Sequence, residues 1–244
     1  MTKSLLLIFI ALVSLVSLAS SQGLQKDTIR TSAGDVEITF VGHGTVMLRW
    51  AGKTIDVDPW TRLPGFAGLP GADLVLVTHD HGDHFDTAAI AAVRTPSTVV
   101  LLTAKCAAQF SGGTVIKNGD VRKVLGMIVE AVPAYNLVHK RPDGMPFHPK
   151  GEGNGYILTI GRTRIYFAGD TENTPEMAAL KDIDVAFLPM NLPYTMTPEM
   201  VAAAAKAFRP KILYPYHYSQ TDPQKLVDLL NDVKGIEVRV RNMR

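Results

Sequence analysis

The sequence predicts a mixed α/β domain; periodicity alone gives no more than that class, and the repeated order of its elements suggests two β-sheets face to face with helices outside. Three observations lead there. The chain opens on short β-rich runs punctuated by glycine, the pattern of an antiparallel meander. Strands alternating with helical runs follow, and the same succession of meander and alternation then occurs a second time.

The first β-rich runs are 36–41, 46–50 and 54–57, separated by Gly42-His43-Gly44 and Ala51-Gly52-Lys53. Asp58-Pro59-Trp60 opens a proline- and glycine-rich stretch that continues to Gly71. It is too irregular for an element and long for a connection, as the rims of sites often are. The apolar run 72–77 is the next strand, 87–93 is helical by composition, 98–102 is a strand and 104–110 a second helix. The second meander starts with 127–132, passes through a polar loop at 136–153, and closes with 155–160 and 163–168 about the hairpin signal Gly161-Arg162. Helix 175–180, strand 185–188, helix 198–208, strand 212–214, helix 223–230 and strand 237–240 complete the chain. Thr197 and Asp222 are suited to cap helices whose first positions are Pro198 and Pro223.

With 244 residues the chain suits one larger α/β domain. Residues 1–21 combine Lys3, an apolar run at 5–13 and the small residues Ala19-Ser20-Ser21. That is the make-up of a secretory signal, with an uncleaved anchor as the alternative. It leaves one domain over 22–244, secreted or periplasmic, with no stable membrane insertion once the signal is removed. Lys3 is the one charged residue in that segment, so 24 of the 25 basic side chains remain against 23 acidic. A nearly neutral protein without clustered Lys/Arg is not a nucleic-acid binder. Cys106 is the sole cysteine, which excludes an internal disulfide, and its helical-looking surroundings suit buried packing.

The chemistry is concentrated in Thr78-His79-Asp80-His81-Gly82-Asp83-His84-Phe85, which holds three of the chain's seven histidines. If strand 72–77 runs into this motif, alternation sends His79 and His81 to one side, where a single metal can take both. Gly82 is expected to let the backbone turn, which puts Asp83 and His84 within reach of a second metal. Imidazole and carboxylate without thiolate suit zinc, iron, manganese or nickel.

His79-x-His81-x-Asp83-His84 resembles the signature of the metallo-β-lactamase-fold hydrolases. The flanking pattern is most similar to the stand-alone metal-dependent branch that includes sugar-lactone lactonases. Gly42-His43-Gly44-Thr45, Asp58-Pro59, Ala168-Gly169-Asp170-Thr171 and Tyr216-His217 match in order across almost the whole of the chain after residue 21. The resemblance implies the αββα sandwich and two divalent transition-metal ions, zinc first, with manganese or iron as alternatives. It also implies that Asp170 bridges the two metals, and that His217 completes the second with Asp83 and His84. The family commonly places the third ligand of the first metal where this chain reads Pro133-Ala134-Tyr135-Asn136. His148 is favoured instead, because His148-Pro149-Lys150-Gly151 leads back to the sheet. Asn136 and His139 stay open, as does a first metal held by two histidines; His139, beside Lys140 and Arg141, resembles a solvated loop residue. His43, between two glycines, is either a proton carrier beside the ligands or a histidine satisfied in its turn. Asp58 either orients a ligating imidazole or makes a plain Asp-Pro turn.

The expectation is an exported hydrolase in which two ions share a hydroxide and attack an ester, lactone or phosphodiester. Asp83 or Asp170 would hold and deprotonate the nucleophile, and His43 would act on the departing group. Lys140, Arg141 and Lys150 near the mouth favour an anionic small-molecule substrate. The alternative is a non-hydrolytic metal-binding or redox protein of the same fold. Electron-passing relatives carry a flavin domain, nucleases carry an inserted domain and basic surface, and β-lactamases place a cysteine where this chain has Asp170.

Overall fold

The computed structural model describes residues 23–244, so the expected signal segment lies outside the described residues. In the first sheet β1 (Gln25–Ile29), β2 (Val36–Gly42), β3 (Thr45–Trp50) and β4 (Lys53–Val57) run antiparallel in chain order. Then β5 (Ala72–Leu76), β6 (Arg94–Leu102) and β7 (Thr114–Val115) add on in parallel. The second sheet repeats the plan. Its strands β8 (Val121–Val124), β9 (Met127–Ala134), β10 (Gly153–Ile160) and β11 (Thr163–Phe167) are antiparallel, and β12 (Val185–Pro189), β13 (Ile212–Tyr216) and β14 (Glu237–Val238) follow in parallel. The helices are α1 (Thr87–Val93), α2 (Ala104–Ala107), α3 (Pro175–Ala178), α4 (Pro198–Phe208) and α5 (Gln224–Leu230).

The sheets meet through an aromatic contact. Phe40 on β2 packs against Phe187 on β12 and Tyr214 on β13, with ring centroids 6.2 and 5.0 Å away, and Phe187 in turn stacks on Phe167 at 4.6 Å. Each ring buried this way contributes about 1.5–3 kcal/mol. Outside the first sheet, Val75 and Val100 pack with Ile90 and Val93 of α1 and with the buried Cys106 of α2. Outside the second, Tyr166 on β11 meets Phe208 of α4 at 6.1 Å. Helices therefore cover both outer faces, giving the αββα sandwich. Among the described residues no helix is long and apolar enough to cross a membrane.

Local signals set the element ends. The Thr197 side chain accepts from the Met200 amide at the start of α4, and Asp222 Oδ1 accepts from Gln224 N at 3.0 Å. Helices α1 and α4 span the residues that composition indicates, whereas α2 stops at Ala107, short of the expected 110. Three strands go unannounced: β1, β7 and β8. Their sequences QKDTI, TV and VRKV are short or polar and lie at sheet edges, where one side of the ladder faces solvent and no apolar alternation is required.

Asp56 sits uneasily in this packing. It lies on β4 between the inward-facing Ile55 and Val57, is fully buried, and neither carboxylate oxygen has a hydrogen-bond partner among the described residues. Burial pushes its pKa up to about 7. A carboxyl whose pKa is raised on folding stabilises the native state below its unfolded pKa and loses that contribution as pH rises through the folded value. Asp56→Asn, a neutral isostere, is therefore expected to match the parent near pH 4 and to exceed it by roughly 1–3 kcal/mol at pH 8. Urea unfolding of both proteins across that range measures the difference; parallel pH profiles would show that Asp56 ionises at no cost.

Candidate metal centre

The parallel strands deliver the site. Asp58 follows β4, the His79–His84 motif follows β5, Asp170 follows β11 and His217 follows β13, while His43 lies in the β2–β3 turn. All lie at carboxyl-terminal ends of strands, the place where open α/β sheets present their chemistry. Beyond β5 the amides of His84 and Phe85 bond back to the His81 carbonyl at 2.9 and 2.7 Å, and this turn carries Asp83 and His84 into the site. Gly82 is not what permits it. Its φ lies outside the left-handed region and a Cβ there would meet nothing within 4 Å, so the turn tolerates a side chain. The glycine the site requires is Gly44, where a Cβ would lie 2.8 Å from His84 Cε1.

Two ligand groups result. His79, His81, His148 and Asp170 form one, and His43, Asp83, His84 and His217 the other; in each, one N or O atom per residue lies within 4.8 Å of all the rest. Asp170 reaches both. Its Oδ2 is 3.3 Å from His148 Nε2, 3.9 Å from His79 Nε2 and 3.7 Å from His217 Nε2, and its Oδ1 is 3.5 Å from His84 Nε2. Asp83 Oδ2 lies 3.4 Å from His217 Nε2 and 3.8 Å from His84 Nε2. Bonds of about 2.0–2.2 Å arranged tetrahedrally put neighbouring ligands about 3.3–3.6 Å apart, so these gaps suit cations. The buried Nε2 atoms of His79, His84, His148 and His217, and Oδ1 of Asp170, have no hydrogen-bond partner among the described residues. Atoms in that state cost about 1–3 kcal/mol each unless something binds them. The residues thus fit a dimetal centre.

The outer ring nitrogens of His79 and His84 are pinned. Asp58 Oδ2 lies 2.8 Å from His84 Nδ1 and accepts from the Thr78 hydroxyl at 2.6 Å, and that hydroxyl lies 3.0 Å from His79 Nδ1. One buried carboxylate therefore orients two imidazoles, leaving each Nε2 lone pair to face the centre. Asp58 is an orienting residue and more than a turn aspartate. Of the three candidates for third ligand of the first group, His148 alone enters it. Asn136 Oδ1 instead accepts from His148 N at 3.0 Å and from His148 Nδ1 at 2.5 Å. His139 is no plain solvated loop residue: it is half-buried, its Nδ1 2.6 Å from the fully buried Glu172, off the line of a good hydrogen bond. His43 Nε2 bonds Asp83 Oδ2 at 2.9 Å, and its ring lies 3.7 Å from that of His217.

Electrostatics keep Asp170 and Asp83 ionised. Burial alone would raise the Asp170 pKa, but His217, His84 and His148 outweigh it and hold the group well below its usual range. Burial likewise works against His84, yet Asp170, Asp58 and Asp83 carry its pKa up to about 10. For His43, burial prevails over the hydrogen bond that it donates to Asp83 and lowers the pKa. His43, Asp58 and His217 all adopt left-handed backbone, φ 51°, 45° and 46°. Such conformations cost non-glycine residues of order 1–3 kcal/mol and gather where side-chain placement matters more than stability.

A sandwich whose strand ends carry paired His/Asp groups defines a class, the metallo-β-lactamase-fold enzymes. A model of the beta-lactamase superfamily domain matches residues 37–217. A UPF0173 metal-dependent hydrolase of Thermococcus onnurineus is 32% identical over 214 residues, 81% of this chain and 93% of its own. Among solved structures, a Parabacteroides distasonis protein described as a metal-dependent hydrolase is 46% identical with TM-score 0.86, covering 91% of this chain and 100% of that one. A metallo hydrolase of Ignicoccus hospitalis shares the fold at TM-score 0.70 and 24% identity, over 86% and 96% of the two chains. The chain belongs to the metallo-β-lactamase superfamily, and within it is a metal-dependent hydrolase.

Some residues at the centre carry no advance signal. Thr78 touches the rings of His79 and His84 and Glu172 bonds Asn136 behind His148; the latter could have been suspected because Asp170-Thr171-Glu172 sets a second acidic residue two positions on. The position of Asp170 yields a test. Asp170→Asn is expected to fold, because it nearly conserves volume, but to hold one zinc ion where the parent holds two. A turn aspartate would instead lose about 1 kcal/mol of stability with its metal content intact. Elemental analysis of both folded proteins after zinc loading decides between them.

Proposed function

We propose that the protein is an exported hydrolase that uses two divalent transition-metal ions, zinc first, to cleave an ester, lactone or phosphodiester bond with water. The observation that carries this reading is Asp170, a buried carboxylate whose two oxygens lie among ring nitrogens of both ligand groups. His79, His81 and His148 would hold the first ion and Asp83, His84 and His217 the second, with Asp170 between them. Bound there, the ions would lower the pKa of water and polarise the bond under attack. The side chains then have separate tasks. Asp83 faces both His43 and His217 and is placed to accept the nucleophile's proton. His43, favoured in its neutral form by burial, donates Nε2–H to Asp83 and so orients that carboxylate, from which the accepted proton can return to a departing oxygen.

Two adjoining clefts of about 260 and 420 Å³ open onto the centre and share His81, Arg141, Phe147, His148 and Asp170. Of the three basic residues expected near the mouth, Lys150 is tied to Glu176 at 2.7 Å and the Lys140 backbone pairs with Pro146. Arg141 alone of them lines both clefts, its Nη2 at 3.4 Å from His81 Nε2, with no carboxylate partner among the described residues. A guanidinium so placed supports an anionic small molecule as substrate, since its fork matches carboxylate and phosphate.

Activity against lactones, esters and phosphodiesters, measured before and after chelation and again after zinc, manganese or iron is restored, tests the reaction. Hydrolysis that survives complete metal removal would overturn it. Once a lactone is found, Arg141→Ala is expected to raise KM for a carboxylate- or phosphate-bearing version by about tenfold or more, the worth of a charge-assisted hydrogen bond, with kcat nearly unchanged. An equal effect on the neutral counterpart would reduce Arg141 to a shaper of the loop.

Export rests on residues 1–21. Mass spectrometry of the secreted or periplasmic fraction should find a chain beginning near Gln22. A full-length, membrane-held chain would favour the anchor.

A further inference from the structure

We infer that Asn136 and Glu172 are positioning residues for the first ion, fixing from behind which nitrogen of His148 is free to bind it. The inference rests on reading His148 as a ligand of that ion. Asn136 is buried and each polar atom of its side chain is engaged. Its amide nitrogen donates to Glu172 Oε1 at 3.1 Å and to the Tyr194 carbonyl at 2.9 Å, both groups that only accept. That settles the amide's orientation, because the flipped form would set NH2 against the backbone N–H of His148 and aim its oxygen at a carboxylate and a carbonyl. Oδ1 must therefore face His148, where it accepts from the backbone amide and from Nδ1. With Nδ1 carrying the proton, the lone pair of the neutral ring is on Nε2, the buried atom 3.3 Å from Asp170 Oδ2.

Glu172 is what makes this arrangement one-sided. Fully buried, it accepts from the backbone amides of Leu137 and Val138 through Oε2 and of His139 through Oε1, at 2.6, 2.6 and 2.7 Å. Held by those three bonds, it can present only an acceptor to Asn136. Thr171 adds a clamp, since its hydroxyl accepts from Tyr135 N at 3.0 Å and donates toward the Tyr135 carbonyl at 3.1 Å. The segment that places Asp170 in the centre thus also fixes the strand end that precedes Asn136. Glu172 acts through Asn136, and Asn136 through His148; neither touches the ion.

The test is zinc affinity, measured by titration against a competing chelator, with cobalt(II) absorption reporting the geometry of the first ion. His148→Ala sets the floor. Asn136→Ala is expected to weaken the first ion by about 10- to 100-fold, the usual effect of losing a ligand's outer partner, and to change the second by less than twofold. Asn136→Asp retains an acceptor for His148 but sets two carboxylates face to face, so it too should bind the first ion weakly. Adding Glu172→Gln to Asn136→Asp removes the facing pair of carboxylates and should recover part of the affinity and shift the cobalt spectrum back toward the parent's, less what the His139 amide loses when its acceptor Oε1 becomes NH2. A merely structural role would lower the melting temperature of each metal-free variant while leaving zinc affinity and spectrum unchanged, and that result overturns the inference. So does equal weakening of both ions. Where the Glu172 variants fold poorly, Asn136→Ala alone decides. If the parent itself binds no zinc, the metal reading fails; if the parent binds two ions and Asn136→Ala binds them equally well, only the relay fails.

Discussion

The structure depends on a buried set of ligand atoms that the protein does not itself satisfy. Nε2 of His79, His84, His148 and His217 and Oδ1 of Asp170 converge without protein partners among the described residues, although their residues are at most 5% exposed. Protein interiors seldom leave such groups unpaired, because each forfeits its bonds to water. The chain meets this cost with fixed negative charge: Asp58, Asp83 and Asp170 stand among the imidazoles, and Asp58 holds two of the rings by their outer edges. The same acceptors that brace the rings by their outer edges turn each Nε2 toward the centre.

Much of this was legible in the sequence, for a physical reason. The sandwich repeats one plan twice, a meander and then parallel strands, and strands buried on both faces must be written as apolar runs bounded by turn residues. Strand ends are equally legible because the functional residue comes directly after the run, as at Asp58, His79, Asp170 and His217. The four-residue motif His79, His81, Asp83, His84 carries its geometry in its spacing. His148 was the hardest member of the first group to place, since it sits in a loop of eighteen residues between β9 and β10 where no periodicity constrains direction.

What the sequence did not show lies one layer further out. Thr78 touches two imidazole edges and Glu172 gathers three backbone amides, but a threonine after a strand and a glutamate near a turn are common, and only three-dimensional proximity distinguishes these. Gly82 and Gly44 show the same effect. Glycine in a motif suggests a backbone need, yet the need here falls on Gly44, thirty-eight residues earlier, where a His84 ring closes over the turn. Close approach between distant segments leaves no local trace. The edge strands β1 and β8 escaped notice because they bury too little to be patterned.

The two halves of the centre belong to different sheets. The first sheet's strand ends and turns supply His43, Asp58 and the His79–His84 motif; the second supplies Asn136, His148, Asp170 and His217. Neither sheet alone presents a complete ligand group, since His79 and His81 need His148 and Asp170 from across the sandwich, and Asp83 and His84 need His217. The packing of Phe40 on Phe187 and Tyr214 therefore sets the distance between the halves as well as the stability of the fold. Cations that bind only the docked arrangement add their binding free energy to folding, and anything that loosens the core widens the spacing on which they depend. Core and centre are in that sense one cooperative unit, joined by Asp170, which leaves the second sheet at β11 and reaches the imidazoles of both.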